Sequence, residues 1–324
     1  MTIEQAGQDV AKPTPWRGWL LTIGVALLAV LLATHGVGAV REIVLQVGWR
    51  AVLVVAAHLP VTLLATVGWA VLLPPGRRPS LSFLFRLRLI KEAVNALLPV
   101  AQVGGDVVRA RLAARNGLTG AESAAAAVVD VLASTVGLAL FILTSLIVAM
   151  LVLHDSRLAQ AGLAVIAIVA ALGLTLFAAH RAGLHRRLGQ FSRRWTAMAE
   201  RIGELGEAFR AIGRQRRQIV ASWAWHLAAW GAGALETYVS MWALGLAPSL
   251  TQALIVEGLA QAAKVVGFAI PGALGVQEGG YLLLGGALGL APDQAMALSL
   301  LRRLRELTLG GVGLVLWRTT KPAA

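Results

Sequence analysis

The chain has 324 residues, 57% of them hydrophobic and only 14% charged, with a formal net charge of +13 and no cysteine. A soluble domain is usually about 45–50% apolar and about 25% charged. The missing cysteines exclude a disulfide framework and a thiolate metal site. The basic excess sits in connectors between apolar runs, which points to anionic lipid at cytoplasmic loops rather than to nucleic acid.

The apolar runs are continuous and approach the ~20 residues that cross a hydrocarbon core. They lack the alternation of a transmembrane β-barrel. The expected fold is all-α, a polytopic helical membrane protein forming a single integral membrane domain over 1–324. The first span is predicted at 19–40, behind Lys12 and Arg17, in the manner of a signal-anchor. The second is predicted at 49–73. The connector after it carries Arg77, Arg78, Arg86, Arg88 and Lys91, which places it and the N-terminus in the cytoplasm.

Residues 89–115 read LIKEAVNALLPVAQVGGDVVRARLAAR. Their apolar part is short and is interrupted by Asn95, Pro99, Gly104, Gly105 and Asp106, with basic residues on both flanks. A full crossing would leave one basic cluster outside, whereas a re-entrant hairpin returns both to the cytoplasm. Spans follow at 121–153 and 158–179. The segment 180–218 then holds ten arginines against three glutamates, with apolar residues at three- and four-residue steps. That pattern predicts a basic amphipathic connector, and two roles fit it: lying on the anionic inner leaflet, or covering the ends of the spans. A span at 219–244 leads to the uncharged external connector GLAPSLTQ. Residues 251–290 form a second hairpin, entered from outside, and 293–317 cross back to a cytoplasmic Arg318 and Lys321. The sum is about six full spans plus two oppositely oriented re-entrant hairpins, with both termini cytoplasmic.

The hairpins read as an inverted repeat. PVAQVGGD runs from Pro99 to Asp106 and PGALGVQE from Pro271 to Glu278, each with an acid seven positions after its proline. Lys91 and Lys264 precede the prolines, and Asp130 and Arg302 each lie 31 residues beyond them. Broken helices repeated in opposite topology point to a transporter's central site. Pro99, Gly104, Gly105, Pro271, Gly272, Gly275, Gly279 and Gly280 are the expected hairpin breaks, although glycine in membrane helices also serves close packing.

Charges at membrane depth cost roughly 2.5–3.5 kcal/mol each on insertion scales, so they must pair, snorkel or face water. Glu257 and Arg305 are expected to snorkel near an interface, and Glu236 and Glu306 to pack helices or lie at an interface. Asp106, Arg109, Asp130, Lys264, Glu278 and Arg302 are the candidate lining of a hydrated cleft that receives a polar headgroup. Arginine suits a phosphate through bidentate bonds, and the free N–H ends of broken helices favour anions. Trp16, Trp19, Trp49, Trp69 and Trp317 are expected to form an aromatic belt at span ends. The six histidines, His58 and His226 among them, show no ligand spacing, and no metal or cofactor is expected.

NALLPVAQVGGDVVRARL followed by AIPGALGVQEGG resembles the transmembrane domain of the lysylphosphatidylglycerol synthase family, also called flippase-like, and within it the hopanoid-biosynthesis-associated branch. The resemblance implies a helical domain with re-entrant segments that moves lipids between leaflets. In two-domain members a soluble aminoacyl transferase domain follows; here the chain stops at Ala324, so that activity is expected to be absent. Many members carry a Glu-Arg pair in the span after the first motif, where this chain has Val129-Asp130, so the family's headgroup preference does not carry over. The expectation is a non-enzymatic lipid translocator of the bacterial inner membrane. Its expected partners are a membrane lipid substrate, anionic inner-leaflet lipid at 180–218 and lipid-biosynthetic enzymes. The alternative is a non-transporting accessory protein that organises such enzymes. An intramembrane transferase would need Asp106 or Glu278 as acid or base, and no nucleophile–base pair accompanies either.

Overall fold

A computed structural model of the chain describes residues 45–97, 104–153, 196–266, 279–282, 286 and 288–320. Among these residues the structure is helical, with no strand. The expected spans at 19–40 and 158–179, Glu278, and the breaks Pro99, Pro271, Gly272 and Gly275 lie outside the described residues.

The principal helices are α1 (Arg50–Ala70), α2 (Leu81–Leu97), α3 (Gly104–Ala114), α4 (Gly120–Leu153), α5 (Thr196–Arg214), α6 (Arg216–Ala243), α7 (Leu250–Val266) and α8 (Pro292–Thr319). Local chemistry sets several starts. Thr119 and Glu122 bond each other's backbone N–H at the head of α4, and Ser249 and Gln252 do the same at α7. Each is a capping box that satisfies two otherwise orphaned donors. Pro292 opens α8, where a missing N–H costs nothing. Gly117 (φ +104°) turns the chain between α3 and α4 in a conformation L side chains rarely adopt.

Two described helices, Arg50–Ala70 and Gly120–Val152, are long and apolar enough to cross a membrane by length and composition. At 28 residues each, α6 and α8 match the expected spans in place and exceed the crossing length, and polar residues along their middles, such as His226, Glu236, Arg303 and Arg305, turn inward. In contrast, α2 has 17 residues and α3 has 11. At 1.5 Å per residue they span only about 25 and about 16 Å, short of a ~30 Å core.

These short helices form a hairpin. Asn95 Oδ1 accepts from the Gly105 N–H at 2.8 Å, and one turn further from the break Lys91 Nζ lies 2.9 Å from Asp106 Oδ1. Gly105 lies so close to α2 that a methyl group there would overlap the Lys91 carbonyl oxygen. The C-terminal half repeats the arrangement: a methyl at Gly280 would sit 2.7 Å from Ala263 Cβ, so 279–282 returns alongside α7.

The packing scheme is unchanged when the halves are exchanged. α1 packs on α6 antiparallel, with His58 beside Glu236 at one end and Gly68 beside His226 at the other. The hairpin arm α2 packs on α8, the span after the other hairpin; the arm α7 packs on α4 in the same way. The pairs α1·α2 with α6·α7, α4·α6 with α1·α8, and α1·α4 with α6·α8 also exchange. Small residues permit the close approach: Gly313 and Gly310 admit Leu89, Ala93 and Leu97, and Gly258 admits Ser145. The inverted repeat read from PVAQVGGD and PGALGVQE is thus carried by the tertiary packing.

Among the described helices α5 is the one without a counterpart in this scheme. It lies against α4 and α6, and Leu205, Phe209 and Ile212 enter the cluster formed by Trp69, Leu72, Leu73, Leu84 and Leu87. The apolar face of α5 is thus packed against the described helices. Arg210, Arg214, Arg216 and Arg217 remain exposed.

Candidate functional site

The first charged centre forms where α2, α3, α4 and α6 converge. Arg109 is fully buried; its Nη1 donates to Asp130 Oδ2 at 2.8 Å and its Nη2 to Asp106 Oδ1 at 2.6 Å. Its guanidinium carbon stands 4.2 Å from the centre of the Trp69 ring, a cation–π contact. Asp130, also 0% exposed, receives His226 Nε2 at 2.8 Å on its other oxygen, with Arg88 Nη1 at 3.5 Å. Lys91 completes the ring on Asp106. The local sequence explains the reach: Asp106 and Arg109 are three apart on α3 and share a face. The helix break lets that face lie against α2 and α4 together.

The second centre joins α6, α7, α8 and the 279–282 stretch. Arg302 holds Glu257 in a two-pronged pair, Nη1 to Oε2 at 2.6 Å and Nη2 to Oε1 at 3.1 Å, and donates to the Tyr281 hydroxyl at 3.0 Å. Thr237 and Gln261 also donate to Glu257, each at 2.6 Å. Glu306 on α8 accepts from Lys264 at 2.9 Å and from Arg303 at 3.2 Å.

A third group bridges the halves. Glu236 on α6 lies 3.1 Å from Arg305 Nε and 2.7 Å from His58 Nδ1, so α1, α6 and α8 meet there. Glu92 on α2 faces His58 from the other side and takes Thr62 and Arg88.

The candidates Asp106, Arg109 and Asp130 therefore come together, and Arg302 and Lys264 belong to the second centre. Gly104 opens α3, while Gly105 and Gly280 are close-contact positions. Gly279 has open space around its Cα. Several readings are corrected. Glu257 and Arg305 do not snorkel: they are 2% and 5% exposed and bind Arg302 and Glu236. Trp69 is no belt residue, since it lies wholly buried under Arg109. Arg88 and Lys91 are not free connector charges but members of the first centre. His58, Glu92 and His226 were missed altogether. The one available signal was that α1 and α6 each place a histidine in an otherwise apolar stretch. Among the described residues no group of His, Asp and Glu has the makings of a metal site.

The fold and these centres define a helical membrane protein whose inverted halves enclose a charged interior. The sequence comparisons give its family. Residues 19–313 match the model of the lysylphosphatidylglycerol synthase TM region, and the chain belongs to that family. It is a membrane protein of lipid handling. A UPF0104 membrane protein of Pyrococcus horikoshii is 24% identical over 307 residues, covering 88% of this chain and 91% of its own length. No solved structure gives a significant match.

Proposed function

We propose that the chain moves a polar-headed lipid, a hopanoid or another, between the leaflets of the bacterial inner membrane, with both termini cytoplasmic and no covalent chemistry. The supporting observation is that charged side chains on packed, largely apolar helices keep an accessible edge. The side chains of Glu92 and Lys264 are 27% and 24% exposed although both helices are packed in the protein. A charge cannot face hydrocarbon, so a wet crevice between the halves accounts for it. A headgroup enters by exchange, its phosphate or hydroxyls replacing a carboxylate on Arg302, Lys264 or Arg109 while the tail stays in lipid. Glu278, expected from the sequence to meet the headgroup, is tested with them. The exposed arginines of α5 and α6 meet anionic inner-leaflet lipid.

The test is movement of a fluorescent phosphatidylglycerol across phosphatidylethanolamine–phosphatidylglycerol vesicles holding the full chain. Alanine at Arg302 and at Glu278 is expected to abolish it. Unchanged movement overturns the reading. Loss of cellular function on neutralising the arginines of 180–218, with Arg302 and Glu278 dispensable, selects the accessory role instead.

A further inference from the structure

The His58 ring has more partners than one protonation state can serve. Glu236 Oε2 lies 2.7 Å from Nδ1, and Glu92 Oε2 lies 3.5 Å from Nε2. Both are acceptors. Arg305 Nη1, a donor, lies 2.7 Å from Nδ1 and 3.1 Å from Nε2. A neutral imidazole has one N–H and one bare nitrogen. With the proton on Nδ1 it donates to Glu236 and leaves Nε2 bare for Arg305, while Glu92 receives no donor from the ring. An imidazolium has two N–H donors. They point at Glu236 and Glu92, and Arg305 is left facing a like charge with no acceptor on the ring.

Arg305 has somewhere to go. Its Nε is already 3.1 Å from Glu236 Oε1, and its Nη2 is 3.7 Å from Glu306 Oε1, close enough to become a direct bond after a small movement. The other charges around the ring are committed. Arg88 on α2 holds Glu92, Arg302 on α8 holds Glu257, and Asp130 on α4 is held by Arg109 and His226. The contrast with His226 is informative: among the described residues its ring bonds Asp130 and no cation shares a nitrogen, and it is 1% exposed. His58 keeps 14% of its side chain accessible.

We propose that His58 is a proton-binding site, and that the proton is the coupling ion for the two halves; the second clause rests on the translocation reading. Hydronium gives its proton to the bare ring nitrogen, an O–H bond breaking as the N–H forms, and on the other side the N–H gives the proton back to water. Its arrival tightens α1 to Glu92 on the first hairpin. It also drives Arg305 toward Glu306, which anchors Lys264 of the second hairpin. One charge thus redistributes pairing between the two hairpins, as a two-state element requires.

The experiment labels histidine and arginine nitrogens in the full chain, held in phosphatidylethanolamine–phosphatidylglycerol nanodiscs. The expected result is that His58 passes to imidazolium within the range of about pH 5–8 where histidines switch. The Arg305 signals should shift with the same midpoint, and that shift should be lost in His58→Gln. A His58 that holds one form, or that titrates while Arg305 stays still, overturns the site. Should His58→Gln fail to fold, Arg305→Lys keeps the charge and assigns both signals. The coupling is read in the vesicle assay under an imposed pH gradient, where reversing the gradient is expected to reverse the favoured direction. Lipid movement indifferent to the gradient sinks the coupling and spares the translocator. A paired His58–Arg305 switch without lipid movement keeps the proton site and sinks the translocator.

Discussion

The two halves share a packing scheme and reverse its charge. In the first, the span after the hairpin carries an acid, Asp130, gripped by Arg88 from α2, Arg109 from α3 and His226 from α6. In the second, the matching position on α8 carries Arg302, gripped by Glu257 from α7. The first centre is sealed, with Arg109 and Asp130 fully buried, whereas in the second Lys264 and Glu306 retain 24% and 15% side-chain exposure. What the repeat preserves is a buried charge that ties span to hairpin, not the sign of that charge. A buried ion is costly alone and tolerable with a partner, so either sign can hold the joint once its complement is supplied across the interface. The difference in sealing sets a division of labour: the Arg109–Asp130 centre is the anchor, and the accessible edges lie outside it, at Glu92 and at Lys264.

The largest effect should come from breaking the anchor. Arg109→Ala strips the shared cation from two carboxylates, and removing one partner of a buried pair costs about 3–5 kcal/mol. A large fall in Tm of the detergent-solubilised protein, followed by circular dichroism, is expected. A Tm within a few degrees of the parent would show that Asp130 is content with His226 and Arg88. Arg302→Ala should cost less, about 3 kcal/mol, because Glu257 keeps its bonds from Thr237 and Gln261. If Arg302→Ala proves the more damaging, the anchor has been assigned to the wrong half.

These two arginines also mark how far the sequence could be read. Asp106, Arg109, Asp130 and Arg302 stood out because a charge inside an apolar run is anomalous by itself, and the proline-to-acid spacing paired the hairpins. Their partners were hidden for physical reasons. Arg88 and Lys91 follow a run of basic residues, so they read as cytoplasmic charge; only the hairpin fold turns α2 inward. His226 and Asp130 are 96 residues apart, and His58 and Glu236 178. Such contacts are created by the crossing of α1 with α6 and of α4 with α6, about which local periodicity says nothing. Glu257 was misread for a similar reason, since its place along α7 gave no sign of which neighbour faced it.

A subtler comparison lies in the hairpin glycines. At Gly105 a new methyl meets a backbone carbonyl and the Asn95 side chain, neither of which can yield without opening the hairpin. At Gly280 it meets only the Ala263 methyl, at 2.7 Å. Overpacking costs about 1–3 kcal/mol, so Gly105→Ala should sit at the upper end, Gly280→Ala at the lower end, and Gly279→Ala near zero. Equal losses at Gly105 and Gly280 in the same melts would mean that both hairpins are equally rigid.

The smallest effect is expected outside both centres, where an ion pair joins the connector after α1 to the head of α4. Arg77 Nη2 reaches Glu122 Oε1 at 2.5 Å, as short as the buried Arg109–Asp106 and Arg302–Glu257 pairs at 2.6 Å, yet the arginine side chain is 53% exposed. Distance alone would rank this pair first. Water decides otherwise: an exposed pair gains little Coulomb energy and loses side-chain freedom, for a net of about 0–1 kcal/mol. Glu122 also caps α4 through the Thr119 N–H, a bond that survives loss of the arginine. Arg77→Ala should therefore leave Tm nearly unchanged, and added salt should shrink what difference there is. A loss comparable to that of Arg302→Ala would mean that the connector is held at a dry interface, and that exposure in the isolated chain misstates its surroundings in the membrane.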